Sequence, residues 1–294
     1  MHFFMQLVVA GVALGSIYAL IALGFVLIYK STRIINFAQG ELVLIGAFTA
    51  FAFLSQAGLP PALALVLTVV VAVVLGFTVE RLLLRPMLGE PVIAVIMVTL
   101  GLAGILRGCA RAIWGSVNRP FPDIFPALSL TLFGLAIPGP FVWGCLIAGA
   151  CLVAFTLFFR FSPWGVMMRA AANHQAAALS IGIDVRRVFA LSWAVAAAVA
   201  ALGGVLLGAI NVIDMNLGMI GLKVFPVVIL GGLDSIPGAI LGGLLIGILE
   251  NLSGGFIEPW VGGGVKAVAP FVVLLLILLV RPYGLFGTRD IERL

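Results

Sequence analysis

Charge is what this 294-residue sequence has least of: 9% of its residues are Asp, Glu, Lys or Arg, against 63% hydrophobic. An ordinary soluble domain carries about 25% charged residues. So little charge cannot cover a water-soluble globule of this size. No polar stretch is long enough to fold separately, so the sequence predicts one membrane domain over residues 1–294. Groups that do chemistry are equally scarce. There are two histidines, His2 and His174, and no HExxH, paired-aspartate motif or nucleophile elbow. The glycine run before Lys266 lacks P-loop spacing, so the chain cannot hydrolyse ATP by P-loop chemistry. It is read as a non-enzyme without a cofactor of its own. The three cysteines, Cys109, Cys145 and Cys151, lack metal spacing and are expected to pack. No lysine-rich or arginine-rich run suggests nucleic acid.

What is present is apolar runs. A membrane span needs about 20 apolar residues. Residues 7–29, 42–54, 62–84, 92–108, 140–159, 188–210 and 265–280 are candidate spans. Two short pieces, 218–232 and 238–250, flank Leu233-Asp234-Ser235-Ile236-Pro237. The expected architecture is an all-α polytopic membrane protein with about eight transmembrane helices, including a broken helical hairpin near 218–250. Broken backbone at membrane depth is tolerated only against protein or a water-filled path, which makes the hairpin a pathway element; two short packed spans would give the same pattern. The uncharged run at 3–29 far exceeds the roughly 7–15 residues of a signal h-region and is read as a retained first helix.

Basic residues set orientation. With Lys30 and Arg33 inside, Arg81, Arg85, Arg160 to Arg187 and Arg281 to Arg293 also fall inside. The N-terminus is then outside and the C-terminus inside. Arg107, Arg111, Arg119 and Lys266 fall outside or at the outer interface. An ion-coupled transporter or passive channel is the competing class, but such proteins usually carry ionisable residues within spans. Here Lys223 is expected to snorkel outward toward Asp214. Glu41 suits a helix N-terminus, and Glu250 is expected at the outer interface. Glycine pairs four apart, such as Gly11/Gly15, Gly104/Gly108 and Gly243/Gly247, predict close helix crossings, within the subunit or across a dimer.

The long basic-side loop at 160–187 contains an alanine-rich stretch, 166–180, followed by Gly182. Alanine favours helix and glycine suits its end. Such a helix is either a solvated interfacial helix or one that enters a partner's groove. Arg169, Asn173, His174, Gln175, Ser180 and Gly182 are its candidate coupling residues. Asn36, Gln39, Asn211, Asn216 and Ser235 are the polar residues available to line a path, although each equally suits a helix cap or interhelical bond.

Four stretches together carry a family resemblance. Gly11-Val12-Ala13-Leu14-Gly15-Ser16-Ile17-Tyr18-Ala19-Leu20 leads to Ile34-Ile35-Asn36-Phe37-Ala38-Gln39-Gly40-Glu41. Later come Gly231-Gly232-Leu233-Asp234-Ser235-Ile236-Pro237-Gly238 and Arg281-Pro282-Tyr283-Gly284-Leu285-Phe286-Gly287. Over essentially the whole chain the sequence resembles the LivH-type permeases of branched-chain amino acid ABC importers. The resemblance implies a type II-like ABC permease fold in a bacterial or archaeal inner membrane. It implies a LivM-like permease partner, two cytoplasmic ATPases that bind the ATP, and a periplasmic or lipid-anchored binding protein. It makes the 166–180 helix the coupling helix. The implied cargo is leucine-type amino acids, with urea, short amides or aromatic carboxylates as alternatives. Residues 111–139 and 251–264 then become binding-protein docking surfaces, with Arg111, Arg119, Asp123 and Glu258 as orienting charges.

Overall fold

The computed structural model describes residues 2–87, 89–126, 130–132, 135–173, 175–281 and 284–287. Among the described residues, the regular structure is helical apart from a short antiparallel ribbon, β1 (Leu130–Leu132) with β2 (Leu135–Ile137). Six described helices are long and apolar enough to cross a membrane. They are α1 (His2–Thr32), α3 (Pro61–Val79, continued to Met87 by a π turn and a 3-10 turn), α4 (Val92–Trp114), α5 (Gly139–Phe161), α8 (Val185–Ile210) and α10 (Ile236–Phe256). Two apolar stretches are shorter: Met215–Gly231, a 3-10 turn followed by α9 (Ile220–Gly231), and α12 (Val265–Val280), which the four-residue α11 (Glu258–Val261) precedes.

α1 is the central pillar, and 94% of its most apolar window is buried inside the chain. It packs most extensively on α10, then on α8 and α5. The α1–α10 crossing is close because glycines face each other. A Cβ on Gly15 would lie 2.7 Å from the Gly243 carbonyl oxygen, and one on Gly11 would lie 2.6 Å from Ile248 Cα. In lipid, close backbone approach and dispersion drive such crossings. Gly104 and Gly108 behave otherwise, since added Cβ atoms there would meet nothing within 4 Å. Their spacing does not mark a crossing within this chain. α3, α4 and α5 keep most of their surface outward, with 28%, 22% and 22% of their windows buried.

The candidate span at 42–54 begins earlier than expected. α2 (Gln39–Phe51) has 13 residues, about 20 Å long, and a five-residue π turn follows. Its start is deep. Gln39 Nε2 donates to the Ala196 carbonyl at 3.3 Å, and Ala196 lies about 16 Å into α8. The segment 33–38 therefore climbs back inside the bundle before α2 begins. Hydropathy records apolarity but not depth, so this re-entry was invisible to it.

The hairpin is present, with unequal arms. α9 ends at Gly232, at φ 102°, and Ser235 caps α10 by accepting from the Gly238 amide at 3.1 Å. Lys30 Nζ donates to the Asp234 carbonyl at 2.9 Å, so the tip lies at the end of α1 that carries Lys30 and Arg33. The C-terminal segment closes over the same tip. Leu285 and Phe286 amides donate to the Leu230 and Gly231 carbonyls at 2.8 and 3.1 Å, two of the acceptors that a helix end leaves unpaired.

Candidate functional sites at mid-depth and at the basic end

The chain's ionisable residues are less peripheral than the sequence suggested. Arg107 was expected outside or at the outer interface. It lies 15 residues into α4, about 22 Å along a helix of about 34 Å, and pairs with Glu41 Oε1 at 2.5 Å. Glu41 is 4% exposed. Its position in the first turn of α2 matches the expectation, but that turn is at mid-depth. The carboxylate also lies against Gly218, where a Cβ would come within 2.6 Å of Glu41 Oε2. α2, α4 and the 3-10 turn Met215–Met219 thus converge on one ion pair.

Lys223 and Glu250 also correct the sequence reading. Lys223 Nζ does not reach toward Asp214. It donates to Glu250 Oε1 at 2.7 Å, across the two hairpin arms. Asp214 is engaged locally, accepting from the Asn216 amide and side chain at 3.1 and 2.9 Å. Glu250 is 1% exposed rather than interfacial, and Tyr18 of α1 lies beside it. Sequence separations of 66 and 27 residues hide both pairings from local reading.

The five polar path candidates do not converge. Asn36 and Gln39 form one buried cluster. Asn36 Nδ2 donates to Gln39 Oε1 at 3.1 Å, and Asn36 Oδ1 accepts from the Ala38 amide at 2.9 Å. The cluster pins the re-entrant segment to α8. Asn211 ends α8 at the end opposite the basic residues, and Asn216 is exposed in the 3-10 turn Met215–Met219. Ser235 is the α10 cap at the hairpin tip.

At the basic end, 166–180 is helical on both sides of residue 174, as α6 (Pro163–Asn173) and α7 (Gln175–Ser180). His174 lies outside the described residues. Asn173 and Gln175 stand on either side of it, and Ser180 is exposed at the end of α7. Gly182, at φ 86°, closes α7 with two bonds. The Gly182 amide donates to Leu179 and the Ile183 amide to Ala178, at 3.1 and 3.0 Å. That is a Schellman ending, and it needs the left-handed residue that glycine supplies. Asp184 then caps α8 through the Arg186 and Arg187 amides. Arg169 turns inward. Its guanidinium donates to the Phe159 and Arg160 carbonyls at the end of α5 and lies over the Phe159 ring. The outward face is apolar instead: Val166, Leu179 and Ile181 are 52%, 60% and 74% exposed.

At the opposite end, Arg119 exchanges backbone bonds with Ile213 at 2.9 Å, and its side chain donates to the Trp114 carbonyl. Glu258 accepts from the Gly264 amide at 2.9 Å. Arg111 and Asp123 are exposed. Trp260, 90% exposed, is a surface feature the sequence reading did not single out.

The model of the family described as "Branched-chain amino acid transport system / permease component" matches residues 7–281. The chain belongs to that family. LivH of Escherichia coli K12, a high-affinity branched-chain amino acid transport system permease protein, is 34% identical, covering 99% of this chain and 98% of its own. BraD of Pseudomonas aeruginosa is 31% identical over the same shares. A probable LivH of Methanocaldococcus jannaschii is 29% identical, over 93% of this chain and 89% of its own. Among solved structures, PsaBC from Streptococcus pneumoniae in complex with Fab matches with a TM-score of 0.52 at 13% identity, covering 96% of this chain and 93% of that one. That last likeness concerns the fold alone. Family membership makes the chain a multi-pass membrane permease component, and the apolar helices fit it.

Proposed function

We propose that the chain is the transmembrane permease subunit of an ABC importer that moves branched-chain amino acids inward. The observation that carries this reading is the full-length relationship to LivH and BraD. The absence of a P-loop in the sequence supports an energy source on other chains. The reading places two ATPases at the basic end, a LivM-like permease alongside, and a binding protein at the opposite end. ATP is bound by the ATPases, and this subunit needs no cofactor of its own.

The basic end is then cytoplasmic, with the N-terminus outside and the C-terminus inside. Counting Met215–Gly231 and α12 as crossing units with the six long helices gives eight, in a type II-like arrangement. α6 and α7 are the coupling element. Their exposed Leu179 and Ile181 suit an ATPase groove, and Arg169 fixes the element to α5 so that ATPase motion is transmitted to the spans. The exposed Trp260 and the Arg111 and Asp123 charges suit a docked binding protein.

The test is reconstitution with the cognate ATPases, partner permease and binding protein in proteoliposomes. ATP-dependent leucine uptake is expected. Solute flux through the purified chain without ATP, or uptake of urea or short amides in place of leucine, would reject the reading.

A further inference from the structure

We propose that the Glu41–Arg107 pair is a station for the charged head of the amino acid in transit, with the α-ammonium received by Glu41 and the α-carboxylate by Arg107. This rests on the function proposed above and adds a substrate-contacting site to it.

Three observations carry it. The first is exposure at depth. The Arg107 side chain is 37% exposed, within the roughly 30 Å hydrocarbon layer. A guanidinium facing lipid there costs about 2.5 kcal/mol or more, so intramembrane arginines face protein or a water-filled cavity. The face of α4 that carries Arg107 is therefore turned toward the path or the second permease. Met219, whose sulfur lies 3.9 Å from the guanidinium, is 44% exposed on the same face.

The second is unused hydrogen-bonding capacity. Glu41 Oε2 and Arg107 Nε are buried and have no partner. A buried carboxylate oxygen normally has one. Glu41 thus holds Arg107 through one oxygen and leaves the other free to accept from an ammonium. Arg107 retains donors that match a carboxylate.

The third is the surrounding backbone. The pair sits against the 3-10 turn Met215–Met219, which opens the first hairpin arm ahead of α9. Gly218 leaves room there for the Glu41 carboxylate. Helix ends within the membrane, such as the start of α2 and of this arm, are where membrane transporters hold charged solutes. One fixed charge of each sign, net neutral, matches a zwitterion better than it matches a lone anion or cation. Met219 and Leu222, both partly exposed, offer an apolar wall for an aliphatic side chain.

The experiment uses the assembled transporter in proteoliposomes, with Cys109, Cys145 and Cys151 replaced by alanine and Met219→Cys introduced. A water-soluble methanethiosulfonate reagent should label this thiol. Leucine should slow labelling, whereas isocaproate and isoamylamine, each lacking one charged end, should not. Separately, Glu41→Gln and Arg107→Gln should lower leucine uptake roughly tenfold or more while binding-protein-stimulated ATP hydrolysis continues. If the transporter carries leucine but the thiol is unreactive, is protected equally by all three compounds, or both glutamine variants transport normally, the station is overturned and the importer reading stands. If the parent transporter moves no leucine at all, it is the importer reading that fails. The labelling measurement keeps Glu41 and Arg107 intact, so it decides the matter even if the glutamine variants do not assemble.

Discussion

Lys30 Nζ lies 2.9 Å from the carbonyl oxygen of Asp234 and donates to it. The bond joins the end of the central helix α1 to the turn between α9 and α10. The same turn receives Leu285 and Phe286 from the C-terminal segment. Two motifs that stand far apart in sequence therefore form one structural unit. Gly232 makes it possible: at φ 102°, with a Cβ that would lie 2.5 Å from the Gly287 amide, it has no room for a side chain.

Gly232→Ala should therefore destabilise the subunit, through backbone strain of about 1–3 kcal/mol and the displaced tail. The measurement is the thermal unfolding midpoint in detergent. Lys30→Met should lower the midpoint too, because it removes a bond worth about 1.5–3 kcal/mol when the donor is charged, while leaving the turn geometry intact. Equal midpoints for Gly232→Ala and the parent would mean that the tail does not hold the tip.

At the basic end, side-chain direction separates two roles. Arg169 faces α5, and Leu179 and Ile181 face outward. Leu179→Glu and Ile181→Glu should leave the subunit folded in the membrane but cut ATP-driven uptake severalfold, by spoiling a hydrophobic contact with an ATPase. Arg169→Glu should instead reduce the amount of folded subunit, since it places a carboxylate against two carbonyls. Uptake per folded subunit distinguishes the cases. Normal uptake in both outward variants would remove α7 from the coupling role.

The sequence foretold the parts of this fold that depend on local pattern. The long spans, the break at Asp234–Pro237, the glycine ending at Gly182 and the basic end are all written in consecutive residues. What it could not foretell depends on depth and on distant partners. Glu41 reads as an ordinary first-turn carboxylate until α2 is found to start at the level of Ala196. Arg107 reads as an interfacial arginine until Glu41, 66 positions away, is placed beside it. Arg169 looked like a contact offered to a partner because a sequence does not show which way a side chain turns.

The Lys223–Glu250 pair should show a strongly non-additive double-mutant cycle. Removing one partner of a buried pair costs about 3–5 kcal/mol, whereas replacing both with apolar groups is often neutral. Glu250→Leu, and Lys223→Met still more, should lower stability, since losing the lysine strands a carboxylate that is 1% exposed, whereas the lysine left by Glu250→Leu is 27% exposed. The double variant should recover most of the loss. Unfolding of the single and double variants in detergent reads the coupling; additive losses would show that the two charges do not depend on each other.

The glycines of α4 separate contacts within the chain from contacts with another one. Gly104 and Gly108 have open space where a Cβ would go, whereas Gly15 meets the Gly243 backbone. Alanine at Gly15 should therefore destabilise the subunit itself by forcing α1 from α10. Alanine at Gly104 and Gly108 has no such effect available to it. It should even help slightly, because glycine inside a helix costs about 1 kcal/mol relative to alanine. If α4 packs against the second permease, leucine at these two positions should leave the isolated subunit folded while preventing co-purification of the partner. Co-purification at the parent level would place the partner on another face, and the outward helices α3 and α5 would be the next to test.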